Sequence, residues 1–84
     1  MPVKEYNQKS REKIEDYIKI NNIPLDRGMG IESPGMNVRE FQIGGPLGYQ
    51  LVLTRRTING KRSCSLEGDQ DKINEFEKLS GINN

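Results

Sequence analysis

The sequence predicts a small α+β domain of order αβββα, a two-layer sandwich with a three-stranded antiparallel sheet packed on two helices. Residues 4–22 and 69–81 repeat apolar side chains at helical spacing, and residues 48–67 alternate on both sides of Asn59-Gly60. The Asn-Gly pair is the strongest signal, because both residues tolerate the positive φ angles of a type I′ hairpin turn. Residues 1–84 are expected to form one domain.

The first predicted helix spans residues 4–22. Asn7 or Ser10 can cap a later start, so its first turn is open between these alternatives. Asn21-Asn22 can end the helix in a left-handed residue, and Pro24 forbids its continuation. The side chains that share the expected buried stripe are Tyr6, Ser10, Ile14, Tyr17, Ile18 and Asn21.

Residues 23–37 contain two prolines and three glycines, which predict a loop. A loop of this length is uncommon in so short a chain, so the segment is either a binding loop or contains a short strand around Met29–Glu32. Residues 38–43 alternate weakly and predict the first strand. Residues 44–48 form a turn-rich connector of hairpin length.

The hairpin around Asn59-Gly60 fixes which side chains share a face. With a two-residue loop, Ile58 faces Lys61 and Val52 faces Glu67. The helix-side face then carries Tyr49, Leu51, Leu53, Cys64 and Leu66, joined by Phe41 and Ile43 and extended at the tip by Arg55 and Arg62. The open face carries Gln50, Val52, Thr54, Arg56, Ser63, Ser65 and Glu67.

The second helix is expected to follow Gly68, with Asp69 as its N-cap. Ile73, Phe76 and Leu79 recur at helical spacing and mark its buried side. Gly81 is the expected left-handed residue at its C-terminal end.

Composition excludes several classes of function. No apolar run approaches the roughly 20 residues of a membrane helix, so no membrane partner is expected. A single cysteine forms no internal disulfide, which favours a cytoplasmic location in a bacterial, viral or eukaryotic cell. The chain has no histidine, the commonest general base and zinc ligand, so neither catalysis nor a metal or other cofactor is expected.

A basic hairpin tip is the candidate binding site. Residues 48–68 hold four basic side chains and one acidic side chain, whereas the whole chain has a net charge of +1. Arginine presents a planar fork that matches phosphate, so Arg55, Arg56, Lys61 and Arg62 are candidate contacts to a nucleic-acid backbone. Thr54, Ser63 and Ser65 are candidates to approach bases or sugars. Charged hairpin tips also occur simply to keep sheet edges soluble.

Two other functions are consistent with the sequence. The chain can be a protein–protein interaction module, such as a small phage-type or accessory inhibitor of a larger enzyme, and an edge strand could pair with a partner or with a second copy. It can also be a small-ligand binder that uses the 24–37 loop. The choice between DNA, RNA and protein stays open. No aromatic residue lies on the polar face, which argues against stacking of single strands there.

The αβββα order resembles that of double-stranded RNA-binding domains. In that family the start of the last helix carries a lysine-rich signature that docks on RNA. The corresponding segment, Gly68-Asp69-Gln70-Asp71-Lys72, is mostly acidic, which argues against this activity. Residues 49–81 also resemble the arm-binding domains of tyrosine integrases, in the turn Asn59-Gly60-Lys61-Arg62, in Leu66 and in a helix ending at Leu79-Ser80-Gly81. This resemblance implies a sheet that lies in the DNA major groove.

Overall fold

The fold contains two helices and five strands. A computed structural model of the protein describes residues 2–44 and 50–82. In chain order the elements are β1 (Val3–Tyr6), α1 (Gln8–Ile20), β2 (Leu25–Ser33), β3 (Met36–Ile43), β4 (Leu51–Ile58), β5 (Lys61–Glu67) and α2 (Gln70–Ser80).

The five strands form one antiparallel sheet in the order β1-β5-β4-β3-β2. The prediction of a three-stranded sheet in the order αβββα is therefore wrong, because it missed both edge strands. With that order the resemblance to double-stranded RNA-binding domains also loses its basis. Within the described residues, no helix is long and apolar enough to cross a membrane.

Strand β1 occupies the first residues of the predicted helix. Tyr6, which the helical spacing placed on the stripe of α1, instead pairs with Cys64 across β1 and β5 and is buried. The helix begins after Asn7, whose side chain accepts a hydrogen bond from the backbone N–H of Ser10 at 3.0 Å. This confirms the later start with Asn7 as cap. Asn22 adopts φ 51° just after the helix, as its left-handed propensity indicated.

Strand β2 covers most of residues 23–37, so the loop prediction is wrong there. The alternative of a strand around Met29–Glu32 is confirmed, and the strand is longer than expected. Its partner β3 satisfies the backbone groups along one edge, so the glycines lie inside a strand and mark a bulge between Arg27 and Gly30. Gly35, at φ 77°, forms the tight turn between the two strands. Glycines and prolines normally predict a loop, but in this segment they lie in and next to a long β-hairpin.

The Asn59-Gly60 hairpin has the predicted register. Every pair from Val52–Glu67 to Ile58–Lys61 is present, and the two turn residues have φ angles of 51° and 81°. Residues 45–49 lie outside the described residues, and they include most of the predicted 44–48 connector and Tyr49. The helix-side face of the sheet buries the expected side chains Phe41, Ile43, Leu51, Leu53, Cys64 and Leu66.

Helix α2 begins after the expected cap Asp69 and ends at Gly81, which has φ 81°. Ile73 and Phe76 are buried as predicted, but Leu79 is 48% exposed, so its assignment to the core is wrong. The buried position is Glu77, which is 4% exposed.

Glu77 connects α2 to β1. Its Oε2 accepts a hydrogen bond from the Tyr6 hydroxyl at 2.8 Å and pairs with the Lys4 ammonium at 2.6 Å. Because a buried carboxylate requires such partners, this contact fixes how β1 lies against α2.

Substituting two glycines separates backbone strain from steric overlap. Gly60→Ala should lower the free energy of unfolding by about 1 kcal/mol, because φ is 81° but a Cβ would meet no atom within 4 Å. Gly68→Ala should cost at least about 2 kcal/mol, because its φ is 155° and a Cβ would lie 2.6 Å from Leu51 Cδ2. Urea unfolding of both variants measures the difference, and equal losses would contradict this packing.

Candidate nucleic-acid interface

Alternation along the strands separates the predicted site residues onto two faces of the sheet. Arg55 and Arg62 lie on the face that the helices partly cover, because they share that face with Leu53 and Cys64 in the β4–β5 register. The remaining five lie on the open face, namely Thr54, Arg56, Lys61, Ser63 and Ser65. The structure therefore does not bring the seven residues together as one surface.

The open face is engaged in its own contacts. The Arg56 guanidinium donates a hydrogen bond to Ser65 Oγ at 3.0 Å, and Ser65 is only 3% exposed. The register places two basic side chains on this face, Arg56 and Lys61. It also places four carboxylates there, which are Glu5, Asp26, Glu40 and Glu67. Its net charge is unfavourable for approach of a polyanion.

The helix-side face also carries a basic surface. Arg27 of β2, Arg39 of β3, Arg55 of β4 and Arg62 of β5 all point to this side, and we call these four residues the arginine surface. Among the described residues none of the four forms an ion pair, since the two ion pairs there are Lys4–Glu77 and Arg11–Glu15. The same register places one carboxylate of β2, that of Glu32, on this side of the sheet, so the surface keeps an excess of positive charge.

Two of the arginines, Arg27 and Arg55, lie beside the buried Phe41 ring. Phe41 pairs with Arg27 on β2, and Arg39 directly opposes Arg55 on β4. The two opposed arginines extend in different directions. The Arg55 guanidinium carbon lies 4.4 Å from the Phe41 ring centroid, whereas the Arg39 guanidinium lies against Gly30, where an added Cβ would be 2.6 Å from Arg39 Cζ. This separation eases the repulsion of a directly opposed like-charged pair.

Arg11 of α1 fastens the helix to the same end of the hairpin. Its guanidinium donates to the Arg56 carbonyl oxygen at 2.8 Å and to the Ser63 carbonyl oxygen at 3.3 Å. It also binds Glu15 Oε1 at 2.6 Å. The Glu15 carboxylate is therefore paired with Arg11 and forms no ion pair with Arg55.

A crevice of about 250 Å³ lies between α1 and the sheet beside the arginine surface. Its lining combines apolar side chains from both layers with charged ones. The residues are Glu15, Ile18, Lys19, Leu25, Leu53 and Arg55. A second concavity, of about 780 Å³, lies between the end of β1 and the hairpin tip.

Cys64 is fully buried in the core. Burial raises the pKa of its thiol to about 11, with the nearby Arg11, Arg56 and Arg55 acting in the opposite direction. The thiolate is therefore scarce at neutral pH. In the part of the chain that the structure describes, no group of three or more Cys, Asp and Glu side chains is arranged to hold a metal ion.

The sequence analysis missed Arg27 and Arg39. Arg39 lies two residues from Phe41 in one strand, so alternation already placed it on the helix-side face. Arg27 had no such signal, because its segment was predicted to be a loop.

Comparison of the chain with protein-family models, curated proteins and solved structures finds no match.

The stability of the protein should fall at alkaline pH because of Cys64. The pKa of its thiol is about 11 in the folded state and has an ordinary value of 9.0 in the unfolded chain. The neutral thiol therefore stabilises the folded state fully below pH 9, and this stabilisation is lost as the pH rises through 11. We expect the free energy of unfolding to drop by about 1 kcal/mol between pH 8 and pH 10. Urea unfolding of Cys64→Ala should show a clearly smaller drop, and an unchanged drop would contradict this assignment.

Proposed function

We propose that the protein is a non-enzymatic module that binds the phosphate backbone of nucleic acid through the arginine surface. One observation carries this proposal: four neighbouring strands each contribute an arginine to one face, and none of the four has an ion-pair partner among the described residues. The arginine surface takes the place of the hairpin tip as the centre of the site.

The geometry suits a chain of phosphates. Neighbouring strands lie roughly 4.8 Å apart, so the arginines from β2 to β5 extend over about 15 Å. Each guanidinium can bind phosphate through two parallel hydrogen bonds. The Arg39 and Arg55 guanidinium groups extend apart from directly opposed positions, so each can bind a separate phosphate.

The hairpin tip extends this surface. Arg62 belongs to it, and Lys61 lies next along β5 but points to the open face. A nucleic acid that passes around the tip would reach Lys61 and then Arg56, with Thr54 and Ser63 beyond them. Ser65 is held by Arg56 and is the least accessible of the predicted contacts. We include a cytoplasmic location in the proposal, because the sequence has one cysteine and no internal disulfide.

Strand β2 supports a second candidate function, that of a protein–protein interaction module. It is the edge strand of the sheet, it is nine residues long, and it exposes Met29 and Ile31. Edge strands with exposed apolar side chains pair with strands of other chains. The structure gives no comparable support to a small-ligand loop at residues 24–37, because most of that segment is β2.

Self-association through β2 can be measured directly. If a second copy pairs with this edge, light scattering should give twice the mass of the chain, and Ile31→Lys should restore the single-chain mass. Unchanged association in Ile31→Lys would contradict the use of this edge.

Nucleic-acid binding predicts a charge-specific loss in arginine variants. Arg39→Ala and Arg62→Ala should each weaken binding to a 20-base-pair DNA about three- to tenfold at low salt and reduce the slope of log K against log salt by roughly 0.9. Fluorescence anisotropy over a salt series measures both quantities.

Lys78→Ala is the matched control, because it removes one positive charge from α2, outside the arginine surface. Its affinity should stay within twofold of the parent protein. An equal loss in Lys78→Ala, or no loss in the arginine variants, would contradict the proposal.

A further inference from the structure

The side chain of Arg55 is held in one place. Its guanidinium lies over the Phe41 ring at 4.4 Å, and the same half-buried side chain lines the crevice beneath α1. A cation held against a ring loses less conformational freedom when a second planar group stacks on it. Arg55 is therefore prepared for a planar ligand as well as for a phosphate.

The crevice has the size and lining for one ring system. Its volume of about 250 Å³ lies below the range of roughly 300–1,000 Å³ that drug-sized ligands occupy. Ile18, Leu25 and Leu53 supply apolar contacts, and Lys19 and Arg55 supply positive charge. A flat, mostly uncharged group with an attached anion fits this combination.

The apolar part of the lining decides which part of a nucleotide enters. A phosphate inside the crevice would lose its hydration against Ile18, Leu25 and Leu53, and the Glu15 carboxylate there is already paired with Arg11 at 2.6 Å. A neutral base has no such desolvation cost, and its phosphates would remain outside on the arginine surface. The crevice and the arginine surface thus separate the two halves of a nucleotide.

We infer that the crevice holds one unpaired nucleobase, which stacks on Arg55, while neighbouring phosphates bind the arginine surface. This inference rests on the proposed function and deepens it, because it selects single-stranded nucleic acid over duplex. Bases in single strands can stack on aromatic rings or on arginine planes, whereas bases in a duplex are already paired and stacked. The stacking group lies on the helix-side face, and not on the polar face considered in the sequence analysis.

Three oligomers of equal length test the inference by fluorescence anisotropy: a 20-nucleotide single strand, the corresponding duplex and a 20-unit abasic strand. The abasic strand keeps the phosphates and lacks the bases. We expect the parent protein to bind the single strand about tenfold more tightly than the abasic strand, which is within the range for stacking of one base. This measurement needs no variant.

Arg55→Lys and Arg39→Lys form a matched pair that conserves charge. Arg55→Lys should weaken single-strand binding about tenfold, because lysine lacks the planar group, and should weaken duplex and abasic binding only by the small factor expected for Arg39→Lys. Arg39→Lys should affect all three oligomers by the same small factor. Thermal melting of both variants checks that they are folded.

The outcomes separate this inference from the proposed function. Equal binding of single strand and abasic strand, with equal effects of the two lysine variants, overturns the base site and leaves phosphate binding intact. Absence of binding to every oligomer at low salt overturns both.

Discussion

The turn at Asn59-Gly60 is the constraint on which the rest of the structure depends. Both residues have positive φ angles, so the chain reverses in two residues and the β4–β5 register follows. Since side chains alternate, the consecutive residues Arg55 and Arg56 lie on opposite faces. A slip by one residue would exchange the faces and place the core side chains of β4 in solvent.

The helices cover only part of the sheet, and this creates the candidate site. Strands β1 and β2 lie at opposite edges, and the segment that contains α1 joins them. Along β4 the helix-side face begins with buried Leu51 and Leu53 and continues with Arg55. The same face thus carries both buried core side chains and the arginine surface, and Arg55 lies at the crevice between α1 and the sheet.

Two carboxylates near the helices have their own partners. Glu77 is held by Tyr6 and Lys4, and Glu15 is held by Arg11. The contacts of Glu77 join α2 to β1, whereas Arg11 pairs with Glu15 within α1 and joins this helix to the hairpin. These contacts stabilise the packing of the layers, and among the described residues neither carboxylate forms an ion pair with the arginine surface.

The sequence alone determined the hairpin, its register and the sorting of its side chains, because turn chemistry and alternation act over a few residues. It also indicated the caps Asn7 and Asp69 and the buried residues Ile14, Ile18, Ile73 and Phe76. It placed the exposed Asn21 and Leu79 on the buried stripes and missed the buried Glu77. Only the tertiary structure decided that residues 3–6 and 25–33 are strands, since pairing with β5 and β3 outweighs their weak local preferences. The arginine surface depends on that pairing, because it combines side chains from four strands. No local sequence pattern shows the order of those strands in the sheet.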